Sequence, residues 1–369
     1  MKVEAGAASP GGNGHAPSTM KAAVYTGESR IEVQTLAVPE IGPGEILVRV
    51  EACGICHTDL KKVEHNLLPP PRIFGHETAG VVVRVGDRVG EFAPGDRVIA
   101  FHHIPCLDCF YCRHKLYAQC PTYKKVGITA GFEAAGGGFA QYVRVMDWIV
   151  RRGVEKIPEG VGFHRASFVE PINTCLKGVV QLDLKPDDVV AILGQGPIGL
   201  MFTMLAKRSG AAILATDTMP FRRGLARRFG AGFVCDPHDG EFSRQVREST
   251  EGRGVDAVIV AASAPGIVEQ AMRCSRPGSR ILLFAQTSHK ERIDLSGADV
   301  CVGERIVFGS YSASVDLQKE SARLVFYDLP VEDLISHRFA LNQIGSGIDL
   351  ALHPQPDSLK IVVEPQRWS

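Results

Sequence analysis

Three groups of residues in this 369-residue chain have the types and spacing to do chemistry. The first is a glycine loop, Gly194-Gln195-Gly196-Pro197-Ile198-Gly199, which fits G-x-G-x-x-G. An apolar run, Val189–Leu193, precedes it, and apolar residues at Ile198, Phe202 and Leu205 follow at helical spacing. In that setting Gly194 makes a tight turn, Gly196 lets backbone approach a pyrophosphate, and Gly199 lets the helix pack on the strand. The helix that starts at Pro197 offers a partial positive charge to phosphates, and from Ile198 onward free N–H groups, proline having none. Asp217, 23 residues after Gly194, closes the next strand and would accept hydrogen bonds from both adenosine ribose hydroxyls. Its charge would repel a 2′-phosphate, so NAD is favoured over NADP. Arg222, a further candidate cofactor contact, and Arg223 pull the other way, because arginine suits a phosphate.

The second group is Cys56-His57-Thr58-Asp59, Gly75-His76-Glu77 and Glu170-Pro171. A catalytic zinc takes three protein ligands of mixed character and keeps one position open. Cys56 can supply a thiolate, His76 an imidazole and Glu170 a carboxylate, with Asp59 placed to hold the other ring nitrogen of His76. The third group is Cys106, Cys109, Cys112 and Cys120, with two, two and seven residues between them. Four thiolates at that spacing match a closed structural zinc site, with an iron–sulfur site or free thiols as the other readings. A closed site stabilises a loop and does no chemistry.

Composition narrows the classes. Lys+Arg and Asp+Glu are 41 each, so the net charge is zero and the basic excess of a nucleic-acid binder is absent. No apolar run approaches the roughly 20 residues of a membrane span. The first twenty residues have no apolar h-region, and a chain this long does not need disulfides to hold its core. A reducing cytoplasm is therefore expected, with no nucleic acid or membrane among the partners.

These residues need elements to position them. Apart from His15, residues 5–18 are Gly, Ala, Pro, Ser and Asn with little to bury, so residues 1–19 read as a disordered extension. From about residue 20 to 174, short alternating runs such as Ile46–Val50, Gly80–Val85 and Arg97–Phe101 predict a mostly β domain with long loops. Residues 175–316 change rhythm. Val189–Leu193, Ile213–Thr216, Phe233–Cys235, Ala257–Ala261, Ile281–Phe284 and Ile306–Phe308 read as six buried strands. Helical stretches such as Phe221–Phe229 and Ile267–Cys274 lie between them, which predicts an α/β doubly wound parallel sheet. Residues 317–369, with a last strand at Leu359–Val363, return to the first domain.

Met20–Tyr25, Gly54–Asp59, Gly75-His76-Glu77, the four-cysteine lobe (about 102–122), Gly138–Tyr142 and Gly194–Gly199 occur in one order. In these motifs the chain resembles the zinc-dependent medium-chain alcohol dehydrogenases from about residue 20 to its end. Within them it is most similar to the sorbitol and threonine dehydrogenase branch, because Glu170-Pro171 stands where the alcohol dehydrogenases carry a cysteine ligand. The resemblance implies a GroES-like catalytic domain, a Rossmann domain, NAD and two zinc ions, one catalytic and one structural. It makes Met20 look like the family's usual start. It also implies a proton relay from Thr58, with Lys61 where the family commonly has histidine, so the relay ends on Lys61, His57 or water. The implied reaction moves hydride from a secondary alcohol (a polyol, sugar or cyclitol) to NAD. Threonine 3-dehydrogenase and a non-catalytic dinucleotide sensor are the alternatives. His57, Lys61, His65 and Glu133 are candidates for a polar cleft, and a homodimer or homotetramer is expected.

Overall fold

A computed structural model describes residues 16–123, 125, 127–132, 136–286 and 292–368. Most of the expected N-terminal extension, and Glu133, lie outside the described residues. Sixteen strands are present among those described. A hairpin, β1 (Thr19–Gly27) and β2 (Arg30–Ala37), opens the fold. The first large sheet uses β3 (Ile46–Gly54), β4 (Glu77–Val85), β5 (Arg97–Ala100), β6 (Ile128–Thr129), β7 (Tyr142–Val145) and β8 (Val154–Lys156). The second uses β9 (Val189–Leu193), β10 (Ala212–Thr216), β11 (Phe233–Cys235), β12 (Val255–Val260), β13 (Ser275–Leu283) and β14 (Ile306–Gly309). The last two, β15 (Ile335–Ala340) and β16 (Lys360–Glu364), join the first sheet in the order β15-β16-β3-β4-β5-β8, while β7 pairs with the start of β3 on the edge that β16 takes at its end, and β6 pairs with β7.

The second sheet runs β11-β10-β9-β12-β13-β14, every pair parallel. This is the doubly wound order, and it puts the crevice at the carboxyl ends of β9 and β12, where the strand order reverses. All five β9 residues and all six of β12 are buried, which is why those segments read as continuous apolar runs. The helix Pro197–Lys207 packs on β9 and also beneath the helix Val169–Leu182. Pressed from both sides, it is buried from Gly199 to Ala206 and is not amphipathic. In the first sheet, β3 and β4 are antiparallel with Gly54 opposite Glu77, so the residues just after β3 and just before β4 meet at one sheet end. The final strand, β16, pairs with β3 at Gly54, which ties residues 360–364 to that same end. The strand β15 was not foreseen in the sequence. It is an edge strand with mostly half-buried residues, so it lacks a strong apolar signal.

Candidate active site and metal centres

Cys56 and His76 owe their proximity to the β3–β4 pairing. Cys56 is the N-cap of the helix His57–Glu64, which starts two residues after β3, and His76 immediately precedes β4. Ligand atoms of Cys56, His76 and Glu77 all lie within 4.8 Å of one another. Asp59, on the first turn of that helix, places Oδ1 3.1 Å from His76 Nδ1, as the sequence suggested, and so leaves Nε2 to face a metal. Both partners are buried. Burial alone would lower the His76 pKa, but Asp59 and Cys56 hold it well above the ordinary histidine value. Asp59 in turn falls below the usual range, because His76 outweighs the burial that would raise it.

The cluster differs from the sequence reading in one member. Glu77 joins Cys56 and His76, while Glu170, expected as the third ligand, stands outside the group. Glu170 lies on the first turn of the helix Val169–Leu182, with Oε1 3.9 Å from His102 Nδ1. Burial pushes its carboxyl up to about 7, with Glu77 and Asp59 adding to the effect and His76 and Lys360 opposing it. Glu77 is placed by glycine and lysine. A Cβ on Gly54 would sit 1.8 Å from Glu77 Oε2, so only glycine leaves room for that carboxylate. Lys360, from β16, donates to Glu77 Oε1 at 2.7 Å and to the Ile55 carbonyl at 3.0 Å. Neither Lys360 nor His102 was foreseen. Lys360 is 283 residues from Glu77 in the chain, which no local pattern reveals, whereas the pair His102-His103 just before Cys106 was a visible signal.

A thiolate, an imidazole and a carboxylate around one point fit zinc and leave room for a further ligand. Thr58 and His57 are exposed beside Cys56, and Lys61 is half-buried three residues along the same helix as Thr58, on its face. His65 is exposed further along the chain. Gly54→Ala is expected to displace Glu77 and lower the zinc content of the purified chain toward one ion, which elemental analysis checks.

The four cysteines of the lobe also converge, with all four sulfurs within 4.8 Å of one another. Cys106 Sγ is 3.9 Å and Cys109 Sγ 3.6 Å from Cys112 Sγ. Backbone N–H groups point at the sulfurs, from Cys109 to Cys106 and from Cys106 to Cys120, both at 3.3 Å. Such bonds, with the Asp108 backbone first among them, lower the Cys106 thiol to about 6, and burial pushes Cys112 up to about 12. All ten cysteines are free, so no disulfide competes for these thiols. A closed tetrathiolate zinc fits this donor set.

The glycine loop divides its labour as the motif requires. Gly194 has φ +94°, the left-handed region that glycine adopts without strain. A Cβ on Gly199 would lie 1.9 Å from the Gly194 carbonyl oxygen, so the helix can close on the turn only as glycine. Gly196, the N-cap of Pro197–Lys207, has only an Arg222 nitrogen near, at 3.9 Å, and leaves space for a ligand. Pro197 and Ile198 form the first turn above it. Asp217 immediately follows β10 and accepts from the N–H groups of Gln195 (2.7 Å) and Met219 (2.8 Å), which fixes its carboxylate at the crevice. Arg223 is committed to the Asp217 and Thr218 carbonyls and to Asp236. Arg222 donates weakly to the Ser358 carbonyl at 3.4 Å, and its buried Nε has no hydrogen-bond partner.

Comparison with known proteins agrees with this geometry. Residues 42–158 match the alcohol dehydrogenase GroES-like domain, and residues 197–326 match the zinc-binding dehydrogenase domain. The chain is 29% identical over 357 residues to the sorbitol dehydrogenase of Bacillus subtilis, covering 95% of this chain and 99% of that one. It is 32% identical over 342 residues to the L-threonine 3-dehydrogenase of Symbiobacterium thermophilum, covering 90% and 94%. A zinc-binding dehydrogenase of Sinorhizobium meliloti, solved bound to NADP, superposes with a TM-score of 0.83 at 30% identity, covering 95% and 100%. Two metal-ready clusters, a nucleotide loop at the switch point of a doubly wound sheet and these full-length relatives place the chain in the zinc-dependent medium-chain alcohol dehydrogenase family, as a zinc-dependent alcohol oxidoreductase of its sorbitol and threonine dehydrogenase branch.

Proposed function

We propose that this protein oxidises a secondary alcohol of a polyol, sugar or cyclitol to a ketone, with NAD as hydride acceptor. The observation that carries the reading is the convergence of Cys56, His76 and Glu77 beside an exposed Thr58. Zinc held there would supply charge stabilisation at the substrate oxygen, with Glu170 on the neighbouring helix as the candidate further ligand, and NAD would supply the reacting carbon. The chain's own groups do the rest. Asp59 fixes the His76 ring. Thr58 Oγ takes the hydroxyl proton and passes it toward Lys61 Nζ, His57 or water. Gly196 and the first turn of Pro197–Lys207 hold the pyrophosphate, while Asp217 reads the ribose.

The polyol reading draws support from the sorbitol dehydrogenase match over the full length of both chains. It also draws on the polar side chains His57, Thr58 and Lys61 at the start of the helix that Cys56 caps. Threonine 3-dehydrogenase is the second reading, favoured by the higher identity to those relatives. A panel of polyols, cyclitols, simple alcohols and threonine, each run with NAD and with NADP, tests the proposal. Turnover of threonine alone moves the chain to the second reading, and turnover of simple alcohols alone contradicts both.

Coenzyme choice rests on Asp217, with Arg222 as the neighbour that would serve a 2′-phosphate. Asp217→Ser is expected to raise the NADP-to-NAD preference by about 10- to 100-fold, the worth of charged hydrogen bonds lost on the ribose. Steady-state kinetics with both coenzymes checks it, and an unchanged ratio removes Asp217 from this role. We place the protein in the cytoplasm, in keeping with ten free thiols. No helix of the described residues is long and apolar enough to cross a membrane. We also expect a homodimer or homotetramer, since β14 is a sheet edge whose Ile306 is well exposed.

A further inference from the structure

A row of rings connects the two metal clusters. The His76 and His102 ring centroids are 4.7 Å apart, those of His102 and His103 4.3 Å, and those of His103 and Tyr123 5.1 Å. Tyr123 belongs to the lobe: it packs with Cys112 and Cys120, and its N–H donates to the Cys120 carbonyl at 2.9 Å. Its hydroxyl lies 2.8 Å from Ser312 Oγ, in the segment that follows β14. Two residues on, Ser314 exchanges backbone hydrogen bonds with the buried side chain of Asn173, at 2.6 and 3.1 Å. Asn173 lies one turn beyond Glu170 on the helix Val169–Leu182. The contacts therefore close a circuit: Glu170 to His102, through His103 and Tyr123 to the lobe, through Ser312 and Ser314 to Asn173, and back to Glu170.

The circuit matters because of where Glu170 stands. Its side chain is 10% exposed, has three rotatable bonds, and shares the site with the carboxylates of Glu77 and Asp59. A buried carboxyl beside two carboxylates needs a neighbouring polar group to choose its orientation. His102 Nδ1 is 3.9 Å from Glu170 Oε1, beyond a direct hydrogen bond but close enough for the ring to limit where the carboxyl can turn. The His102 ring is itself held between the rings of His76 and His103. We infer that His102 is a positioning residue for Glu170, and that the four-cysteine lobe sets it through His103 and Tyr123. The lobe then does more than brace a loop: it forms the back wall of the site. This inference rests on the proposed function for the use to which Glu170 is put.

The test compares wild type with His102→Leu, His102→Gln and Tyr123→Phe. It reads kcat and KM, the thermal midpoint, and the visible spectrum after cobalt is exchanged into the Cys56 site. His102→Leu is expected to lower kcat/KM by about 10- to 100-fold, the usual effect of losing a group that orients a metal-site carboxylate. The loss falls mainly on kcat, and the cobalt spectrum changes. His102→Gln, which keeps a donor, recovers much of the rate. Tyr123→Phe, which loses only the Ser312 bond, shifts both readouts in the same direction by less. If His102→Leu matches wild type in rate and spectrum, the inference falls and the proposed function stands. A lowered thermal midpoint with an unchanged spectrum also overturns it, because His102 is then merely structural. A wild-type chain that takes no cobalt at Cys56 and turns over no alcohol overturns the proposed function, and this inference with it.

Discussion

Replacing Cys56 with alanine should abolish alcohol oxidation while leaving the fold and nucleotide binding intact. Cys56 is the N-cap of His57–Glu64, but its side chain makes no capping hydrogen bond, so the helix loses nothing it needs. What disappears is the only sulfur of the cluster with His76 and Glu77. A thiolate there cannot be replaced by water without loosening a three-ligand zinc site. Several kcal/mol of charge stabilisation at the substrate oxygen go with it, which corresponds to a loss of about 10³-fold or more in kcat/KM. NADH binding, followed by its fluorescence, should persist, because the glycine loop and Asp217 belong to the other sheet. Loss of nucleotide binding together with activity would mean that Cys56 holds the fold and not the metal.

The second large effect is expected at the lobe. Cys112→Ser should cost the chain one zinc and open residues 106–120 to protease. The four sulfurs share a small volume around Cys112, Cys120 and Tyr123, the only well-buried apolar cluster of that segment among the described residues. So few buried groups cannot offset the conformational entropy of ordering fifteen residues, whereas a structural zinc contributes on the order of 10 kcal/mol. Arg113 and Lys115 are exposed on the lobe and offer trypsin sites that the closed loop protects. Their cleavage is expected to rise by about tenfold or more in Cys112→Ser, as when a metal-held segment is released. Cleavage at the wild-type rate, with zinc lost, would show that the lobe holds itself together.

Much of this was legible beforehand, and the exceptions share a cause. The six strands of the parallel sheet were visible because β9 and β12 are buried on both faces and must be apolar throughout. The lobe was visible because its four ligands lie within fifteen residues. Cys56 and His76 were visible by type and order, and Asp59 by its short distance along the chain. Glu77 was visible as a catalytic candidate beside His76, but its turning toward Cys56 was not, because that depends on the missing Cβ of Gly54 and on Lys360, brought across by the pairing of β16 with β3. The circuit through Tyr123 and Ser312 spans 189 residues and leaves no local trace. Spacing reveals ligands that fold together early in the chain; it does not reveal which carboxylate a distant strand will lean on.

If a metal at Cys56, His76 and Glu77 is what lets this chain oxidise alcohols, activity must follow that metal. Zinc is returned in steps to the metal-depleted chain, and NADH formation is read from NAD and the best alcohol of the panel. No turnover is expected without metal. Activity should appear as the Cys56 site fills, and Cys56→Ala should gain none. Full turnover by the metal-free chain, or silence on every alcohol with both clusters filled, would contradict it.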